Sequence, residues 1–120
     1  MGRPVVRFEV GCTDAARTAD FYARLFDWDT RAEGMAVHLD TGAGRGIDGQ
    51  ATALGHEPRR FVMFYVEVER IEDTLAQAER LGGHRVVGPA PLPAGGRFAW
   101  VSDLDGNLVG LVEASPQTAG

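Results

Sequence analysis

The sequence predicts an α+β fold built from two consecutive βαβββ modules. Three observations carry that prediction. An alternating segment followed by an amphipathic one occurs twice in the 120 residues. A displacement of 56 positions lays the first pair on the second without a gap, carrying Arg7 to Met63, Arg24 to Arg80 and Leu25 to Leu81. Each amphipathic segment is then followed by three short strand candidates.

In Pro4–Val10, PVVRFEV, the residues Val6, Phe8 and Val10 fall on one face and Val5, Arg7 and Glu9 on the other. Asp14 of GCTD is the N-cap of AARTADFYARLFDW, whose stripe is Ala15, Ala19, Tyr22 and Phe26 with Leu25 beside it. Strand candidates TRAE, MAVHLDT and IDGQATA complete the first module, with Gly42–Gly46 as a loose turn. The second module opens with a strand expected to bury Val62, Phe64, Val66 and Val68 and to turn Met63, Tyr65 and Glu67 the other way. Its helix carries the stripe Ile71, Leu75, Ala78 and Leu81, and Gly82-Gly83 gives a left-handed exit. HRVVG, RFAWVS and LVGLVEA are its remaining strands. Asp105-Gly106-Asn107 is a hairpin signal, Gly88–Gly96 reads as a long ordered loop, and the tail SPQTAG as frayed. The modules are expected at about residues 4–55 and 60–114 of one domain. With one face of each sheet under its own helix, the opposite faces are expected to line a concave cavity.

Apolar residues make up 44% and charged residues 24%, which excludes wholesale disorder. A net charge of −5 argues against a nucleic-acid partner, which needs clustered Lys and Arg. The single cysteine, Cys12, forms no intrachain disulfide; no run approaches a membrane span, and MGRPVVRFEV has no signal-peptide core. The expectation is a soluble, cytoplasmic protein. GAGRG is not followed by a helix, so a nucleotide cradle is not indicated.

Four landmarks in order, RFEVGCTDAARTADFYARLFDWDT, GIDGQ, YVEVERIEDTLAQAERLGG and FAWVSDLDGNLVGLVE, resemble the vicinal oxygen chelate superfamily of glyoxalase I, extradiol dioxygenases and bleomycin-resistance proteins. The similarity is to its small glyoxalase-like branch. It implies an open, barrel-like curved mixed sheet around a cavity with the helices outside, and a homodimer, in some members with exchanged modules. It also implies four inward metal-ligand positions in the metal-using members. Carried across, these are Arg7, Met63, Gly110 after the DLDGN turn, and either Gln50 or Asp48 near GIDGQ. A guanidinium has no lone pair to donate, a thioether is soft and glycine offers nothing, so no metal or other cofactor is expected. The alternative set is Glu9, Asp48 and His38.

Arg7 and Glu9 share a strand face and either pair with each other or meet a ligand. Gln50 and Glu67 are polar anchors, or solvated strand ends. Met63, Tyr65, Phe98 and Trp100 are candidate cavity walls or plain core; Tyr65 and Trp100 carry a polar handle that suits a wet cavity. Gly110 is expected to leave extra room. Cys12 has no neighbouring base and reads as an inert thiol, His38 as structural, and His56 and His84 as solvated. The ligand-binding set is thus Arg7, Glu9, Gln50, Met63, Tyr65, Trp100 and Gly110, around a small, mostly apolar molecule. Competing expectations are a metal-free enzyme using Glu9 as acid/base and Arg7 at a developing oxyanion, a metal-dependent lyase or dioxygenase, and a dimeric scaffold.

Overall fold

The computed structural model describes residues 2–42, 44–53, 60–93 and 95–113. His56 and the tail from Ser115 lie outside the described residues. The chain forms two compact units, a first spanning Val6–Met63 and a second made of Met1–Val5 with Phe64–Gly120.

The first unit is built from β1 (Val5–Gly11), α1 (Ala15–Phe26), β2 (Asp29–Glu33), β3 (Ala36–Asp40) and β4 (Gly49–Thr52). Its strand order is β2-β3-β4-β1, with β1 and β4 parallel and the other neighbours antiparallel. The second contains β5 (Phe61–Val68, whose first three residues belong to the first unit), α2 (Ile71–Arg80), β6 (His84–Pro91), β7 (Arg97–Ser102) and β8 (Leu108–Glu113). Its order, β5-β8-β7-β6, repeats the first with one parallel pair, β5 and β8. The α+β class and the doubled βαβββ order are as the sequence predicts. Corresponding elements start at Val5 and Phe61 and at Ala15 and Ile71, the same 56-residue displacement.

In the first unit Asp14 accepts a hydrogen bond from the Arg17 N–H at 3.0 Å and opens α1; Asp27, at φ 61°, closes it. Ala19 then packs on Leu39 and Ala51, with Phe8, Cys12, Trp28 and Val37 around them. Ala19 is the residue of the α1 stripe that is buried against the sheet. Leu25 and Phe26 are exposed, and Phe26 instead meets Tyr22 and Trp28 in a ladder of rings beyond the packed face.

The second unit's core gathers Val68, Ile71, Leu75, Ala99, Val101 and Leu111. No side chain caps α2 locally, because Arg70 occupies the N-cap. Glu113 of β8 does it from a distance, accepting from the Ile71 N–H at 2.7 Å, and Arg97 bridges Glu113 and Glu72. Three expectations are corrected here. Val62 (74% exposed) and Phe64 are not buried, because α2 packs chiefly over β6, β7 and β8 and leaves the start of β5 uncovered. Leu81 is exposed because the helix ends at Arg80. Gly88–Pro91 belongs to β6 rather than to a loop, paired to β7 through register shifts that accommodate the irregular sequence.

The predicted hairpin is built by Asp103, whose carboxylate accepts from the Asp105 and Asn107 N–H groups and from the Asn107 side-chain amide, while Gly106 takes φ 87°. Among the described residues no helix is long and apolar enough to cross a membrane.

Candidate functional site

Strand register decides which candidates meet. In the first unit the backbone pairs Phe8 with Gly49 and Glu9 with Gln50, and His38 with Gln50 in turn. Phe8, Val37, Leu39 and Ala51 face α1, so Glu9, Gln50 and His38 form a polar row on the opposite face. Glu9 is only 3% exposed, and its carboxylate accepts the Gln50 side-chain amide at 2.5 Å. The register left open by the loop lengths is thereby fixed on Gln50. The packing explains the register: a Cβ on Gly49 would lie 2.6 Å from the Phe8 ring, so glycine fits opposite Phe8, and Gln50 takes the other face.

A cavity of about 250 Å³ opens on this row, lined by Arg7, Glu33, His38, Asp48 and Gln50 with Val6. Of the residues expected around a cavity, Arg7 and Gln50 line this one, and Met63, Tyr65, Trp100 and Gly110 do not. The Glu33 carboxyl is held below the usual carboxylate range, first by its hydrogen bond from Arg31 and then by the nearby charges of Arg31, His38 and Arg7. His38 Nδ1 stands 3.8 Å from Glu33. Asp48 is occupied structurally, accepting from the Thr41 N–H at 3.0 Å and the Thr41 hydroxyl at 3.1 Å across the turn. Sequence reasoning passed over Glu33 and set His38 aside as structural; pairing of β3 with β4 is what brings His38 beside Gln50.

In the second unit the corresponding positions are Tyr65, Gly110 and Trp100, paired across β5, β8 and β7. Tyr65 is 2% and Trp100 1% exposed, and the indole N–H donates to the phenol oxygen at 2.8 Å. The indole N–H, a polar handle expected to meet a wet cavity, is taken up by the Tyr65 oxygen instead. Gly110 does not enlarge a cavity either: its Cβ position lies 2.4 Å from the Tyr65 ring, which fills the space. Met63 is buried, Glu67 exposed and Phe98 half-buried against Ala90 and Val112. Cys12 is half-buried and donates to the Thr52 carbonyl at 3.5 Å; His84 is exposed at the start of β6.

The metal positions implied by the resemblance do not fit an ion. Arg7 and Met63 are unsuitable donors and Gly110 has no side chain and its space is taken, which leaves the carbonyl oxygen of Gln50, whose N–H donates to Glu9, as a single ligand. Among the described residues no three His, Cys, Asp or Glu side chains gather as ligands, so Glu9, Asp48 and His38 do not form the alternative set.

A family model described as a glyoxalase-like domain matches residues 6–112. No curated protein matches the chain. Among solved structures, a hypothetical protein from Bacillus halodurans is 14% identical at a TM-score of 0.70, covering 98% of both chains. Methylmalonyl-CoA epimerase from Mycobacterium tuberculosis is 15% identical at 0.65, covering 96% of this chain and 90% of that one. A glyoxalase/bleomycin resistance protein/dioxygenase superfamily member from Vibrio splendidus is 18% identical at 0.63, covering 93% and 98%. At such identities these structures share the fold.

Proposed function

The chain belongs to the glyoxalase-like domain family, and on that premise we propose that it binds a small molecule with a polar, carboxylate- or carbonyl-bearing head, without a metal, in the cavity on the first unit's polar row. The observation that carries this is the convergence of Arg7, His38 and Gln50 on one cavity of about 250 Å³, against a buried Glu9. A guanidinium presents several N–H donors in a fixed fork, so Arg7 is the group that reads an anionic or carbonyl oxygen. The volume suits a ligand of modest size, and Val6 supplies the apolar side. The small, mostly apolar ligand expected from sequence is here given a polar end that Arg7 and Gln50 would read.

Calorimetric titration with a panel of small carboxylic acids, keto acids and phenols is the test. A binder is expected, and Arg7→Met, which imports the residue of the repeat-related position, Met63, is expected to weaken it about tenfold or more, the scale of a hydrogen bond to a charged group. A binder indifferent to that change, or no binder, contradicts the assignment. Metal content of protein purified without chelators is expected well below one ion per chain; one ion per chain overturns the metal-free assignment.

A second reading is metal-free acid/base catalysis. It is favoured by a carboxylate withdrawn from bulk water and oriented by Gln50. Glu9 would move the proton while Arg7 steadies the negative charge that develops. Glu9→Gln is then expected to abolish turnover and preserve binding; turnover surviving the change removes Glu9 from that role. A cytoplasmic setting and a homodimer accompany both readings, the dimer to be checked by sedimentation.

A further inference from the structure

The first unit has a larger cavity, about 420 Å³, at the end of β1 away from the Arg7 pocket, and the function proposed above leaves it unused. Val10, Phe61 and Val62 give it apolar walls, and Tyr22 of α1 and the hydroxyl residues Thr13 and Thr18 edge it. Gly11 shapes one wall. A Cβ there would stand 2.2 Å from the Phe61 ring, so glycine is what lets that ring lie against the strand. Val62 leaves most of its side chain in solvent where it lines this space.

The charge pattern is selective. The chain holds 17 acidic residues against 12 basic ones. Among the described residues this cavity is lined by neither Asp nor Glu, and its charged group is Arg60. Arg60 is exposed and has no ion-pair partner among the described residues. Apolar and aromatic walls with a cation at the rim that pairs with no acid among the described residues match a flat aromatic ring bearing one negative group.

We propose that this cavity is a second ligand site, selective for small aryl anions such as aryl carboxylates and aryl sulfonates, with Arg60 as the charge contact and Phe61, Val62 and Tyr22 against the ring. Trp28 stacks on Tyr22 at 5.9 Å and so reports occupancy, whereas Trp100 is buried in the other unit. Cys12 also lines the cavity, and its thiol, donating to the Thr52 carbonyl, offers a footprint rather than a nucleophile.

The experiment is titration of the full chain with anilinonaphthalene sulfonate, read by tryptophan quenching and by the rate at which iodoacetamide alkylates Cys12. Quenching is expected to disappear in Trp28→Phe, and saturating dye to slow alkylation. Arg60→Glu, at an exposed position that does not disturb folding, is expected to weaken the dye about tenfold as a reversed ion-pair partner, while Arg7→Met leaves its affinity unchanged. The proposal is overturned if Arg60→Glu binds the dye as the natural chain does, if quenching persists in Trp28→Phe, or if Arg7→Met removes binding and so places the dye in the polar pocket.

Discussion

The same three positions are polar in one unit and aromatic in the other. Glu9, Gln50 and His38 cross β1, β4 and β3; Tyr65, Gly110 and Trp100 cross β5, β8 and β7 in the equivalent places. In the aromatic row the central glycine makes room for a ring, the phenol oxygen accepts the indole N–H, and the result is closed and buried. In the polar row the central glutamine fixes a buried carboxylate while Arg7 and His38 beside it remain lining a cavity. A repeated fold therefore separates two tasks by side chain alone. One row is closed upon itself, and the other borders the cavity to which the proposed ligand is assigned.

Substitutions that break the aromatic row are expected to act on stability. The largest effect is expected from Trp100→Ala, which empties the most voluminous fully buried position and should cost about 3–5 kcal/mol in urea unfolding. Gly110→Ala comes next. Its methyl group meets the Tyr65 ring at a distance the ring must retreat from, and about 1–3 kcal/mol is expected in the same assay. Tyr65→Phe leaves the buried Trp100 N–H without its phenol acceptor and should cost about 1–2 kcal/mol. A stability loss for Arg7→Met as large as that for Gly110→Ala would dissolve the contrast between the rows.

The smallest effect lies outside both rows, at the Arg97 bridge. The Glu72 carboxyl is held down to about 2 from 4.5, chiefly by its hydrogen bonds from Arg97, whose own pKa is raised. Because the folded value is the lower one, the bridge contributes fully above about 4.5 and is lost as pH falls from there toward about 2. Glu72→Gln is accordingly expected to flatten the acid limb of a Tm-against-pH curve slightly; an unchanged limb means that solvent screens the bridge entirely.

The modules, both helices and the hairpin were legible because they rest on local periods and turn chemistry, and the 56-residue displacement exposed the repeat. What escaped depends on distant partners. The exposure of Val62 and Phe64 follows from where α2 lies, and the Glu113 cap on α2 joins residues 42 positions apart. Gly110 looked like a removed ligand because only its own strand was in view; its ring-bearing partner Tyr65 sits on another. Two cross-strand pairs, Phe8 with Gly49 and Tyr65 with Gly110, share one device, an aromatic ring over a strand glycine. Of the candidate site, Arg7, Glu9 and Gln50 were identified from sequence, while His38 and Glu33 needed the register of β2, β3 and β4.

The most direct test of the division between rows is a nitrogen–proton correlation spectrum of the full chain, titrated with the tightest acid from the panel. Shifts concentrated on the amides of Arg7, His38 and Gln50, with the Trp100 indole N–H and the Gly110 amide unmoved, are the predicted result. Shifts centred on Trp100 and Gly110 instead would make the aromatic row the binding site and contradict the assignment.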